Sequence, residues 1–113
     1  MNAKEITILG TPYMIMYDCE EESLPEGSDG CMDHCAKIIK ILKMSVERDS
    51  VQNIDEYKKN VLRHEIIHAF FFESGVWSNS GCVESWGQDE TITDWFAIQS
   101  PKIFDAFKEA GCL

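Results

Sequence analysis

The hydrophobic and polar positions change period several times along the chain, and each change predicts an element. Residues 5–9 (Glu-Ile-Thr-Ile-Leu) alternate and are rich in β-branched side chains. Gly10-Thr11-Pro12 interrupts them, and residues 13–17 (Tyr-Met-Ile-Met-Tyr) resume the alternation, so a strand, a short turn and a second strand are expected. Residues 36–43 (Ala-Lys-Ile-Ile-Lys-Ile-Leu-Lys) are short and β-branched and predict a third strand. Lys37, Lys40 and Lys43 suit the edge of a sheet, and a short helix is the competing reading. The segment 55–74 carries the strongest helical pattern. Asn53 or Asp55 can cap it, Glu56 sits in its first turn, and Gly75 stands just past its end. Its first half is amphipathic, with Lys58, Lys59 and Arg63 outward, whereas residues 66–72 are apolar nearly all round apart from His68. Such a helix needs a sheet over one face and another helix over the other. Residues 76–88 read as a loop, and 89–99 as a helix with Ile92, Trp95 and Phe96 on one stripe. Ser100-Pro101 should break that helix, with Pro101 opening a further one that ends near Gly111.

The expected fold is therefore α+β: a three-stranded sheet packed on a long helix, with two further helices towards the carboxyl end. A chain of 113 residues corresponds to one domain, residues 1–113. Apolar residues make up 44% and charged residues 27%, which excludes a disordered polar tract, and no apolar run reaches the length of a bilayer span.

Charge narrows the partners. Twenty acidic against ten basic residues give a net charge of −10, so binding to nucleic acid or to an anionic membrane is not expected. Seven of the acids (Asp18, Glu20, Glu21, Glu22, Glu26, Asp29, Asp33) fall between residues 18 and 33, with no basic residue among them. With Pro25, Gly27 and Gly30 that segment reads as an exposed loop, a solvated face before it is a selector of basic substrates or a second cation site. Met1 to Glu5 lack the pattern of a signal peptide. The five cysteines (Cys19, Cys31, Cys35, Cys82, Cys112) are odd in number and irregularly spaced, as reduced cytoplasmic thiols are.

The chemistry sits in the strong helix, as His64-Glu65-Ile66-Ile67-His68. Histidines at i and i+4 lie about 40° apart on one helix face, so both rings can reach one metal ion. Glu65 points to the flank of that face, where it can meet a water without binding the metal. Chance matches to this pattern arise on the order of a few per thousand chains of this length. The bland alternative, two surface histidines, is weakened by Tyr57, Val61, Phe71 and Phe72, which share the histidines' half of the helix and turn it inward.

A zinc site needs a third protein ligand and an open position. His34 lies upstream, Phe71 and Ser74 stand where a metzincin has its Gly and third His, and Glu73 is about 140° round the helix from His68. Carboxylates past the loop remain: in Asp89-Glu90-Thr91-Ile92-Thr93-Asp94, Glu90 and Asp94 are again i and i+4. One can bind the metal while the other orients a ligand histidine from behind, and Asp89 or Asp94 stays open as the third ligand.

His64-Glu65-x-x-His68 followed by Glu90-x-x-x-Asp94 resembles the gluzincin clan of zinc metallopeptidases, the thermolysin-like group, and by its size the single-domain minigluzincins. The resemblance spans roughly residues 55–98 and implies a small sheet over an active-site helix, with a glutamate helix completing a zincin-like site. It implies His64, His68 and Glu90 as zinc ligands, one zinc per chain, Glu65 as general base and Asp94 as the partner of a ligand histidine. The chain is also similar to small proteins of bacterial phages and mobile elements. Larger gluzincins stabilise the oxyanion with a Tyr or His from a second subdomain, and here only Tyr13, Tyr17, Tyr57 and His34 are local candidates.

Cys31-x-x-His34-Cys35, with Cys19 or Cys82, is a second metal candidate, though it lacks the spacing of a zinc knuckle and reads better as free thiols. Trp77 and Trp86 flank the loop and can line a cleft or cap the core. The function expected is zinc-dependent hydrolysis of a peptide or protein substrate. The alternative is a zinc-binding protein of the same fold that cleaves nothing and serves as a structural or regulatory partner.

Overall fold

The computed structural model describes residues 2–45, 53–79 and 88–113. Among the described residues four strands, β1 (Ala3–Ile8), β2 (Thr11–Cys19), β3 (Gly30–Asp33) and β4 (Ile38–Leu42), precede three α-helices, α1 (Ile54–Glu73), α2 (Val76–Asn79) and α3 (Glu90–Ala110). The sheet is mixed, in the order β1-β2-β4-β3, with β2 parallel to β4 and the other pairs antiparallel. The architecture is α+β, with four strands where the sequence pattern suggested three.

The first hairpin closes through Leu9 and Gly10, both at positive φ (49° and 85°). That is the backbone a two-residue turn needs to match the strands' twist. Thr11 and Pro12 therefore belong to β2, not to the turn. Alternation along β2 sends Tyr13 and Ile15 into the core, where they meet Ile8 of β1 and Ile39 and Ile41 of β4.

The added strand is β3, inside the acidic segment that reads as loop. Its residues Gly-Cys-Met-Asp have no alternation and no β-branched side chain, so nothing local announces it. Pairing does the work: Cys31 faces Lys40 and Met32 faces Ile39. The turn is tied by the Asp33 carboxylate, which accepts from the amides of Cys35 and Ala36 at 2.9 and 3.0 Å. β3 takes the edge, so β4 is interior and the lysines of 36–43 do not guard an edge.

Asn53 caps α1, its side chain accepting from the Glu56 amide. The helix lies between two partners, as its apolar second half requires. Val61 and Ala69 join the sheet's core, and α3 packs on another side, with Thr93 and Ala97 fully buried. Phe70 departs from that pattern at 41% exposed. The carboxyl end of α1 is anchored by Glu73, which accepts from Thr11 Oγ1 at 3.1 Å, Tyr13 OH at 2.7 Å and Lys37 Nζ at 2.7 Å. These contacts lower the Glu73 carboxyl from its ordinary value, the Lys37 bond foremost.

Two expectations about the second half are corrected. Residues 76–79 form a short helix within the expected loop. Residues 90–110 form one helix, not two, with Pro101 inside it. Proline removes the N–H that would bond the carbonyl four residues back. Here that carbonyl, on Ala97, accepts instead from Nε of Arg63 at 2.6 Å, so the helix continues without an orphaned acceptor. Arg63 thus faces α3 rather than solvent. Asp89 caps α3 by accepting from the amides of Thr91 and Ile92, and Gly111 (φ 75°) ends it. Among the described residues no helix is long and apolar enough to cross a membrane.

Candidate metal centre

His64 and His68 stand one turn apart on α1, and α3 crosses that face with its first turn. The crossing brings three donor atoms together. Glu90 Oε1 is 2.8 Å from Nε2 of His64 and 3.0 Å from Nε2 of His68, and the two nitrogens are 3.1 Å apart. Among the described residues this is the one cluster of three such side chains able to hold a metal ion.

Protons fill that triangle only with crowding. If both Nε2 atoms carry hydrogens aimed at Glu90, the two N–H groups confront each other. If one donates to the other, a nitrogen lone pair faces a carboxylate lone pair. A cation in contact with all three atoms resolves the conflict. Zinc with nitrogen and oxygen donors has bonds of about 2.0–2.1 Å, which sets tetrahedral donors about 3.3 Å apart, a few tenths of an ångström wider than these atoms stand. The donor set of two imidazoles and one carboxylate suits that ion, and Glu90, 74% exposed, leaves the fourth direction open.

Asp94 lies behind the site. Its Oδ1 is 3.3 Å from Nδ1 of His64, so it can accept a hydrogen bond from Nδ1–H and so favour the tautomer whose Nε2 lone pair faces the metal position. Burial lowers the pKa of His68 despite the Glu90 carboxylate, which favours the neutral, ligating form. Burial also lifts the Glu90 carboxyl, but the hydrogen bonds of His64 and His68 outweigh it and leave the group below the usual value. His68 Nδ1 is buried and has no hydrogen-bond partner among the described residues.

Glu65 lines the same cleft, of about 590 Å³, together with the triad, Asp94, Tyr57 and the residues of β3. It is 7% exposed and stands outside the triangle. Burial, reinforced by the Glu90 charge and opposed by His64, pushes its carboxyl up to about 7. A carboxylate with that proton affinity can accept a proton at neutral pH and give it back.

The remaining candidates are used elsewhere. Asp89 is committed to the cap of α3, and Glu73 to its anchor on the sheet. Cys31, His34 and Cys35 do not assemble into a site: His34 stacks on Phe72 with ring centroids 4.2 Å apart, Cys35 is exposed beside it, and Cys19 donates to the Met16 carbonyl. Cys82 and Trp86 lie outside the described residues. Trp77 lines the cleft, its ring centroid 6.2 Å from that of His68. Of the four oxyanion candidates, only Tyr57 lines the cleft, and its hydroxyl donates to Asp29. That pair, and β3 as a wall of the cleft, escaped sequence reasoning. Tyr57 lies two helical turns before His64 and so shares its face, whereas nothing in β3 signalled a strand. Comparison with protein-family models, curated proteins and solved structures finds no match for this chain.

Proposed function

We propose that the protein is a zinc-dependent metallopeptidase in which His64, His68 and Glu90 hold one zinc and Glu65 is the general base. The observation that carries the reading is the triangle of three donor atoms no more than 3.1 Å apart beside a buried carboxylate in an open cleft. When bound, zinc supplies Lewis acidity, acidifying water and polarising a carbonyl. Glu65 accepts the proton of the attacking water and delivers it to the leaving amine. Asp94 holds the His64 ring in the ligating tautomer. The four described cysteines are unpaired, which favours a reducing, cytoplasmic setting. The resemblance to minigluzincins supports the same roles, and a phage or mobile-element origin accompanies it.

A non-catalytic zinc protein, acting as a structural or regulatory partner, is the second reading. It is favoured by the commitment of the Tyr57 hydroxyl to Asp29, which leaves no free oxyanion donor among the candidate tyrosines and histidine in the cleft. Hydrolysis of denatured casein, with and without chelator, separates the two. The metallopeptidase reading expects cleavage by the zinc-loaded protein and none by Glu65→Gln, which keeps the shape and the metal but not the base. Equal cleavage by both proteins, or no cleavage by either across a range of unfolded substrates, rejects it.

A further inference from the structure

Pro101 and Arg63 form a unit that neither residue explains alone. Within a 21-residue helix, Pro101 leaves the Ala97 carbonyl without its intrahelical donor, and the guanidinium that fills the gap comes from another helix, at 2.6 Å. The guanidinium is steadied on α1, with Nη2 at 3.5 Å from Asn60 Oδ1 and 3.7 Å from Glu56 Oε1. Arg63 is the residue immediately before His64. Ala97 lies three residues after Asp94 and seven after Glu90, so these three share one stripe of α3. Among the described residues, the other polar contacts between α1 and α3 are those of His64 and His68 with Glu90 and Asp94. Arg63 to Ala97 is therefore the one polar tie between the helices made by groups outside the triad and its Asp94 support.

We propose that Arg63 is a positioning residue: bonded to the carbonyl that Pro101 leaves free, it fixes α3 on α1 so that Glu90 and Asp94 meet the two histidines. The inference rests on the triad being a metal site, and adds a residue to it. Glu90 is mostly exposed and has only the two histidines as partners among the described residues, so its approach depends on where the first turn of α3 is held. A charge-assisted bond to a carbonyl barred from its own helix is specific to one register, because every other carbonyl in the middle of α3 is taken by an N–H four residues on.

The design makes two roles separable. If Arg63 only satisfies an acceptor, another donor can replace it. Pro101→Ala supplies that donor from within α3, but it cannot tie α3 to α1. The experiment titrates metal-free wild type, Arg63→Ala, Arg63→Lys and the Arg63→Ala/Pro101→Ala double variant with Co²⁺, reading affinity, the visible absorption of the bound ion and the thermal midpoint of the metal-free protein. Arg63→Ala should lower the midpoint by about 4–12 °C, the effect of an unsatisfied buried carbonyl in a chain of this size. It should weaken Co²⁺ binding about 10- to 100-fold, as loss of an outer support does, and change the absorption. The double variant should recover most of the midpoint but neither the affinity nor the spectrum. Arg63→Lys, which keeps a charged donor, should bind within about tenfold of wild type. Affinity returning with the midpoint in the double variant, or unchanged in Arg63→Ala, overturns the positioning role. A wild type that binds no Co²⁺ overturns instead the metal reading on which the inference rests.

Discussion

Gly30 of β3 lies tightly against α1, and enlarging it tests how closely the fold holds the site. A Cβ added there would stand 2.8 Å from Cγ1 of Val61, 3.2 Å from the Lys40 carbonyl oxygen and 3.3 Å from Cγ of Glu65. The first distance is inside van der Waals contact, and Val61 is itself buried in the core with little room to turn. In Gly30→Ala, α1 must therefore move away from β3 or Val61 must leave its rotamer, at a cost of about 1–3 kcal/mol. The smaller entropy of the unfolded alanine chain returns only about 0.4–1 kcal/mol, so the middle of the two ranges leaves a net loss of about 1.3 kcal/mol. Urea denaturation should show a lower midpoint at unchanged slope. The cause can be isolated by adding Val61→Ala, which removes the clashing methyl groups. The two losses should then sum to more than the loss in the double variant, the mark of residues in contact. Strict additivity, or a Gly30→Ala variant as stable as wild type, would refute the packing argument. Because Glu65 shares this contact, the variant should also lower hydrolysis more than it lowers zinc affinity.

The Glu73 anchor predicts a pH effect with a definite sign. Its folded pKa is depressed, so its stabilisation is present above the unfolded value near 4.5 and is lost as pH falls through the lower folded value. Replacement by Gln in Glu73→Gln should flatten the acid limb of a stability–pH curve recorded by thermal melts, and an unaltered limb would assign acid sensitivity elsewhere. For the metal centre, Glu90→Ala should lower zinc affinity more than Asp94→Ala, whose loss should be about 10- to 100-fold in competition with a chromogenic chelator. A greater loss for Asp94→Ala would reverse the two roles.

What the residue pattern revealed, and what it hid, follows the range of the interactions. The i, i+4 spacings of His64 with His68 and of Glu90 with Asp94 are local, and each pair lies on a helix that capping and periodicity mark out. Their convergence matches the expected cluster because the folded chain lays one such face on the other. β3 was hidden because it exists only through its pairing with β4 and through Gly30, whose missing side chain admits α1. The continuity of α3 was hidden for a similar reason. Locally Pro101 is a breaker, and the group that offsets it, Arg63, is 38 positions away in sequence, on a face that looks polar and outward. Tyr57 was visible as a neighbour of the histidines on α1, but its partner Asp29 was one acid among seven in a run with no pattern.

The most direct test of the account is the metal content of purified protein, measured by elemental analysis for wild type and for the His64→Ala/His68→Ala variant. The account predicts about one zinc per wild-type chain and none in the variant, since removing both imidazoles leaves Glu90 alone. Wild-type protein free of zinc after exposure to it, or a variant that keeps its zinc, would contradict the assignment of this site.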